Sequence, residues 1–215
     1  MTTEGPTAAE YWENRYREGG RSWSGDVNAA LAREVDGLAP GTALDLGSGE
    51  GGDALWLARH GWRVTAVDIS PTALAVGAAA QLPGDDITWV AADLSDWQPP
   101  TSYDLVSSCF LHSLVELPRE RILRRAATAV APGGTLVIVG HFGVPHWATP
   151  AEHAHAHDAL PGPDEMRAAL FADNPDLIEA EWEVVTSALI ERPFTAPDGS
   201  AGTISDSVLR MRRLA

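Results

Sequence analysis

The stretch LDLGSGEGGDALWLARHGWRVTAVDIS, ending at Ser70, places a glycine turn between two apolar runs, and the second run closes on an acid. Gly47, Gly49 and Gly52 complete the pattern G-x-G-x-x-G. Asp68 follows Gly47 at about the 20-residue separation that lets a carboxylate accept ribose hydroxyls. Glycine at the turn lets the backbone approach a ligand closely and adopt positive φ. The pattern therefore points to an adenosine-containing cofactor, held at the end of one strand and steadied by the end of the next.

Up to this point NAD and S-adenosylmethionine fit equally. Asp45, two residues before Gly47, separates them, because an acid there suits a ligand carrying an ammonium and a sulfonium and repels a pyrophosphate. A third run, AADLSDW, sets Asp93 where its carboxylate, or the amide of Leu94, can meet the edge of an adenine. APGGTLVIV opens a fifth apolar run, and a tail of two further strands follows it.

The histidines are the candidate bases. Of the 7 in the chain, His60 suits a helix C-terminus, where the dipole favours it. His112 and His141 end strands on the expected ligand side, where either can act as general base or hold an acceptor. His146 joins them as a substrate-binding candidate. Histidines 153, 155 and 157 form HAHAH; on a helix His153 and His157 share a face, and on a strand all three do. His153, His155 and His157 would need a further ligand such as His141, His146 or Asp158 to hold a metal, and no cysteine joins them. No metal site is assigned, and residues 141–161 are expected to form a histidine-rich lid beside the acceptor.

Composition narrows the chemistry. All 15 basic residues are arginine, so a phosphate-loop NTPase and a pyridoxal enzyme, both of which need a lysine, are excluded. The formal charge of −15 and the lack of a dense basic run argue against a nucleic-acid partner. No apolar stretch reaches the roughly 20 residues of a membrane span. The single cysteine, Cys109, agrees with a reducing compartment, and a cytoplasmic protein with no membrane partner is expected. Oligomeric state is not legible.

The elements that must position these residues follow from periodicity. Tyr11, Trp12 and Tyr16 share a helical face within residues 8–19, and Asp26 or Asn28 can cap a second helix running to Leu38. Strands then alternate with helices: TALDLGSG, DALWLARHG, WRVTAVDIS, PTALAVGAAAQL and ITWVAADLS. YDLVSSCFLHSL reads as a fourth strand running into a helix whose later part is PRERILRRAATAVA, and GGTLVIVGH as a fifth strand. PDEMRAALF is a last helix before closing strands in EWEVVTSALIERP and TISDSVLRMRRLA. The alternation reads as an α/β chain with a doubly wound parallel sheet and short N-terminal helices. The family that the motifs resemble implies a Rossmann-like seven-stranded sheet, mostly parallel with an antiparallel C-terminal strand. One domain is expected over 1–215, with a helical cap at 1–39, a cofactor-binding core at 40–140, the lid at 141–161, and a C-terminal helix with closing strands at 162–215.

From residue 40 onward the sequence resembles the class I S-adenosylmethionine-dependent methyltransferases, through ALDLGSGEGG, VTAVDIS, AADL, YDLVSSCFLH and APGGTLVIV. The N-terminal YWENRYREGGRSWSG is similar to the small thiopurine and tellurite resistance type. The resemblance implies that Gly47 and Gly49 lie against the methionine portion, Asp68 on the ribose, and Asp93 and Leu94 around adenine. It also implies that Tyr16 and Trp23 line the cofactor site, and Asp45, Ile69 and Cys109 complete the cofactor-binding set. Trp12 and Trp56 read as packing residues. The implied activity is methyl transfer by in-line displacement to a small-molecule acceptor, a thiol or other soft nucleophile first.

An O- or N-methyltransferase, metal-assisted through the histidines, is an alternative. An NAD-dependent reductase is a second, although the chain lacks a Tyr-x-x-x-Lys pair. A non-catalytic protein sequestering cofactor, metal or oxyanion is a third. Nucleic-acid methylation lacks its N-P-P-Y or D-P-P-Y stretch, since SCFLH stands there, and protein methylation stays open. Cys109 reads as a small buried residue at a strand end and not as a nucleophile. Accordingly Cys109→Ala is expected to keep most of the activity; complete loss with cofactor binding preserved, measured by calorimetry beside a methyl-transfer assay, would contradict this.

Overall fold

The computed structural model describes residues 5–18, 24–143, 160–172, 174–195, 199 and 201–215. Its strands are β1 (Thr42–Leu46), β2 (Arg63–Asp68), β3 (Ile87–Ala91), β4 (Tyr103–Cys109), β5 (Val130–Phe142), β6 (Trp182–Thr195) and β7 (Ala201–Arg213). Among the described residues the helices are α1 (Ala8–Glu18), α2 (Ala29–Val35), α3 (Gly52–Arg59), α4 (Pro71–Ala79), α5 (Arg119–Thr128) and α6 (Pro163–Phe171). None is long and apolar enough to cross a membrane.

The seven strands form one sheet in the order β3-β2-β1-β4-β5-β7-β6. β1 to β5 pair in parallel, while β7 runs antiparallel to both β5 and β6. Strand order therefore reverses between β1 and β4, and a ligand crevice belongs at the carboxyl ends there. Both faces of the sheet are covered, which is why its central strands are continuous apolar runs. In β5, Leu136 and Ile138 pack toward α5 and α6, whereas Val137 and Val139 pack toward α2 and α3.

Helix starts follow their residues. The Asn28 side chain accepts from the amides of Ala30 and Leu31 and so caps α2, as one of the two expected candidates. Ser70 caps α4, whose first turn begins with Pro71. α2 ends at Val35, short of the expected Leu38, because the chain turns at Asp36 and Gly37.

A larger departure follows β4. The expected direct run into a helix is replaced by an irregular segment up to Pro118, and α5 begins only at Arg119. Phe110 adopts φ 54° and the His112 amide donates to the Phe110 carbonyl at 2.7 Å, a tight reversal incompatible with helix. Arg119 fixes the segment by donating to the Leu111 carbonyl at 3.1 Å.

α1 lines the crevice and is fastened by Glu13 and Trp12 among others. Glu13 accepts from the hydroxyls of Ser70 (2.7 Å) and Thr72 (2.6 Å), and the Trp12 indole donates to Ser113 Oγ at 3.2 Å. The hydroxyls of Thr72 and Ser70 hold the Glu13 carboxyl below its usual range. Because Glu13 ties α1 to the start of α4, Glu13→Ala is expected to raise amide exchange along α1 about tenfold or more while the melting temperature moves only a few degrees. Exchange mass spectrometry with a thermal melt checks this; unchanged exchange would show that Glu13 is not the fastening.

Candidate functional site

A cavity of about 740 Å³ opens at the carboxyl ends of the strands, within the range of small-molecule sites. One end is built by the glycine turn. Gly47 (φ 72°) and Gly49 (φ 53°) are both left-handed, and a Cβ at Gly47 would fall 2.9 Å from Leu111 Cδ1. Gly52 begins α3 against the backbone of Asp26, where a Cβ would meet the carbonyl at 2.7 Å. The three glycines are thus required by conformation or by space.

Asp68 holds the turn in place. Its Oδ2 accepts from the Gly49 amide at 2.8 Å and its Oδ1 from the Ser70 amide at 2.9 Å. The carboxylate lines the cavity, where a remaining lone pair can accept from a ligand hydroxyl. Burial raises the Asp68 carboxyl above the usual range, and the amide hydrogen bonds only partly offset this.

Asp45 is nearly sealed from solvent and lines the cavity. Its Oδ1 accepts from Ser107 Oγ at 3.1 Å, and its Oδ2 has no partner among the described residues. Burial, then the charge of Asp53, pushes the Asp45 carboxyl well above its ordinary value. A buried carboxylate oxygen without a donor is a costly arrangement unless a ligand supplies one. Asp53 lines the same wall, accepting from the Asn28 amide at 2.6 Å and from the Cys109 thiol. It too is raised, first by burial. Burial and the neighbouring Asp53 and Asp45 charges push the Cys109 thiol well up, so it stays protonated. The residues at this end fit a cofactor that is cationic at its amino-acid portion.

Tyr16, Ile69, Asp93 and Leu94 also line the cavity. Asp93 sits at a turn, accepting from the Ser95 amide at 2.8 Å, and the Leu94 carbonyl accepts from Arg125.

The other end is formed by Phe110, Leu111, Leu117, Ile190 and Phe194, with His112, His141, Arg192 and Asp206 as polar groups. His141 and Asp206 are direct cross-strand partners on β5 and β7, and their side chains meet at 3.2 Å between Nδ1 and Oδ1. Arg192, reaching from β6, donates to both oxygens of Asp206. The His141 ring packs against Phe110 (4.4 Å between centroids) and His112 (5.6 Å). His112 is different: its Nε2 accepts from the His141 amide at 3.1 Å, and burial, then Arg119, pushes its pKa down to about 3. It is a neutral imidazole whose acceptor nitrogen is already in use.

The structure thus gathers Tyr16, Asp45, Gly47, Gly49, Asp68, Ile69, Asp93, Leu94, Cys109, His112 and His141 around one cavity. Trp23, His146, His153, His155, His157 and Asp158 lie outside the described residues, with most of the expected 141–161 lid. Among the described residues no group of three His, Cys, Asp or Glu side chains could hold a metal. His60 caps α3 and stacks on Trp56, away from the cavity. Trp12, expected only to pack, lines it. Sequence reading passed over Asp53, Arg192 and Asp206. Asp206 carried a signal, an acid alternating with Ile204 and Val208 on one face of an interior strand.

Residues 43–134 match the family described as "Methyltransferase domain". The chain is 34% identical over 110 residues to 2-heptyl-1-hydroxyquinolin-4(1H)-one methyltransferase of Mycobacteroides abscessus, covering 48% of this chain and 47% of that one. It spans about half the length of the curated relatives it matches. A structure solved in connection with the conversion of a disulfide bond into a thioacetal group during echinomycin biosynthesis superposes with TM-score 0.63 at 25% identity, over 96% of this chain and 93% of that one. TehB from Haemophilus influenzae shares the fold, with TM-score 0.64 at 17% identity over 95% and 67% of the two chains. Sheet order and glycine turn agree with the matched stretch, and residues 43–134 are similar to a methyltransferase domain.

Proposed function

We propose that this protein transfers a methyl group from S-adenosylmethionine to a small, largely apolar acceptor that loses a proton in the reaction, a thiol first and a hydroxyl second. The observation that carries this reading is the cavity that joins the carboxylates of Asp45 and Asp68 to the imidazole of His141. Asp68 and Ile69 would hold the ribose, Asp93 and Leu94 the adenine, and Asp45, Gly47 and Gly49 the amino-acid portion. Tyr16 covers them from α1, Cys109 lies between the two ends, and Trp23 belongs to the same expected set. When bound there, the cofactor supplies a methyl group on a sulfonium with a good leaving group. The protein's part is to orient the acceptor, exclude water and take up its proton.

The wall of Phe110, Leu111, Leu117, Ile190 and Phe194 suits an apolar body, and His141, which lines the same cavity, would receive the proton. His112, neutral and with its Nε2 engaged, serves to hold the acceptor and the His141 backbone. A base of this kind is needed for an acceptor that carries hydrogen and is idle for an oxyanion. The hydroxyl reading is favoured by the curated relative, whose named substrate is a hydroxyquinolinone. The acidic chain and single cysteine support a cytoplasmic setting and a small-molecule partner over nucleic acid.

Labelled methyl transfer to a panel of thiols, phenols, amines and selenium and tellurium oxyanions, with and without a chelator, tests the reading. Transfer to thiols or phenols is expected. Absence of S-adenosylmethionine binding, or NADH oxidation without methyl transfer, would overturn it. Asp68→Ala is expected to weaken S-adenosylhomocysteine binding about tenfold or more in calorimetry, because both the turn and the ribose contact are lost. Asp45 and Asp68 are held above the ordinary carboxylate range, so their ionised forms, which a cationic cofactor favours, are depleted as pH falls. S-adenosylmethionine binding should therefore release protons and weaken toward acid pH, as calorimetry in buffers of different ionisation enthalpy would record; proton uptake on binding would contradict it.

A further inference from the structure

A histidine acts as a base only if its free nitrogen faces the proton it removes, and something must decide which nitrogen is free. We propose that Asp206, held by Arg192, is the positioning residue that fixes His141 with its proton on Nδ1 and leaves Nε2 to receive the acceptor's proton. This rests on the reading of His141 as the base.

The geometry is a consequence of the sheet. His141 and Asp206 face each other across the β5·β7 pair, and Ile190 is the residue of β6 opposite Asp206. Arg192, two positions further along β6, is therefore the diagonal neighbour, the second kind of cross-strand contact a sheet provides. The cation reaches Asp206 from one side while the imidazole reaches it from the other. Asp206 is 5% exposed. Burial alone would raise its carboxyl, but the hydrogen bonds from His141 and Arg192 outweigh that and hold it below the ordinary value. An ionised carboxylate only accepts, so the His141 nitrogen facing it must carry hydrogen. Nε2 then has no partner among the described residues, on a side chain that lines the cavity.

Two further contacts restrict the ring. The His141 amide is tied to His112, so the backbone below the ring is fixed, and the ring rests on Phe110. Phe110 in turn lies under the Arg192 guanidinium, 5.9 Å from its ring centre. The charged or titratable groups around His141 are Asp206 from β7, Arg192 from β6 and His112 after β4, with Arg119 of α5 behind His112.

In the proton step the acceptor's X–H bond breaks, an N–H bond forms at Nε2, and the electron pair stays on X. The imidazolium is then paired with Asp206, whose own charge is balanced by Arg192. At 36% side-chain exposure, the His141 ring can return the proton to solvent.

The competing view is that the Asp206 and Arg192 pair merely fastens the β6·β7 hairpin to β5. Long-range proton–nitrogen NMR of the histidine rings separates the two without any substrate, with His141→Gln supplying the assignment. In the unmodified protein, at a pH where the ring is neutral, His141 should show hydrogen on Nδ1 and a bare Nε2. In Asp206→Asn, the amide presents a donor to Nδ1 and the hydrogen should move to Nε2. Hydrogen on Nε2 in the unmodified protein, or no change in Asp206→Asn, would overturn the proposal.

The kinetic arm uses benzenethiol and a series of substituted phenols of graded acidity. Asp206→Asn should lower kcat about 100-fold on the least acidic acceptors, the effect shrinking as the acceptor ionises more readily. KM and S-adenosylhomocysteine affinity should stay within about threefold. Arg192→Ala should give a smaller loss of the same pattern. An equal loss on every acceptor together with weakened cofactor binding would mark a structural role and overturn the proposal. If NMR shows the expected proton positions but no probe is methylated, the proposed reaction fails while the tautomer assignment stands.

Discussion

Asp68 holds the site together through a carboxylate that binds the glycine turn and the start of α4 directly, and α1 through Ser70. It accepts the amide of Gly49 from the turn and the amide of Ser70 from the start of α4. The Ser70 hydroxyl then caps α4 and donates to Glu13 of α1. One buried acid thus fixes the glycine turn, aims a helix and, through a single serine, seats the helix that lines the crevice. The cost of placing it out of water shows in its raised pKa, and the amide hydrogen bonds are what make the position tolerable.

The cavity is electrically asymmetric as a result. Asp45, Asp53 and Asp68 crowd the end nearest β1 and β2, with burial and mutual repulsion raising Asp45 most clearly. The far end carries Arg192 and two imidazoles around a single acid, Asp206. A ligand with positive charge at one end and an apolar, hydrogen-bearing partner at the other matches this gradient. It is the same asymmetry that a pyrophosphate would meet as repulsion.

The carboxylate-lined end of the cavity was legible because its constraints are local. A left-handed turn demands glycine, a strand end demands an acid, and both recur at spacings set by a strand, a turn and a helix. The far end was not, because it is assembled from strands distant in sequence: His141 is opposite Asp206 only after β7 inserts antiparallel between β5 and β6. Periodicity predicted the two closing strands well, but it carried no register, and without register Arg192 and Asp206 are two charges among many. Asp53 escaped for another reason, since an acid in the first turn of a helix is ordinary. The segment after β4 misled because its residues are compatible with helix, whereas Phe110 turns left-handed to let His112 reach β5.

β6 pairs with β7 along its whole length, from Trp182 to Thr195, and its half-buried residues alternate strictly with exposed ones from Thr186 to Phe194. Ile190, Arg192 and Phe194 therefore hang over the cavity from an edge strand that pairs on one side only. No residue of the carboxylate-lined end belongs to this strand. The fold consequently sets the apolar residues Ile190 and Phe194 on a strand apart from the glycine turn, so that they can change the shape of their end of the cavity without touching the turn.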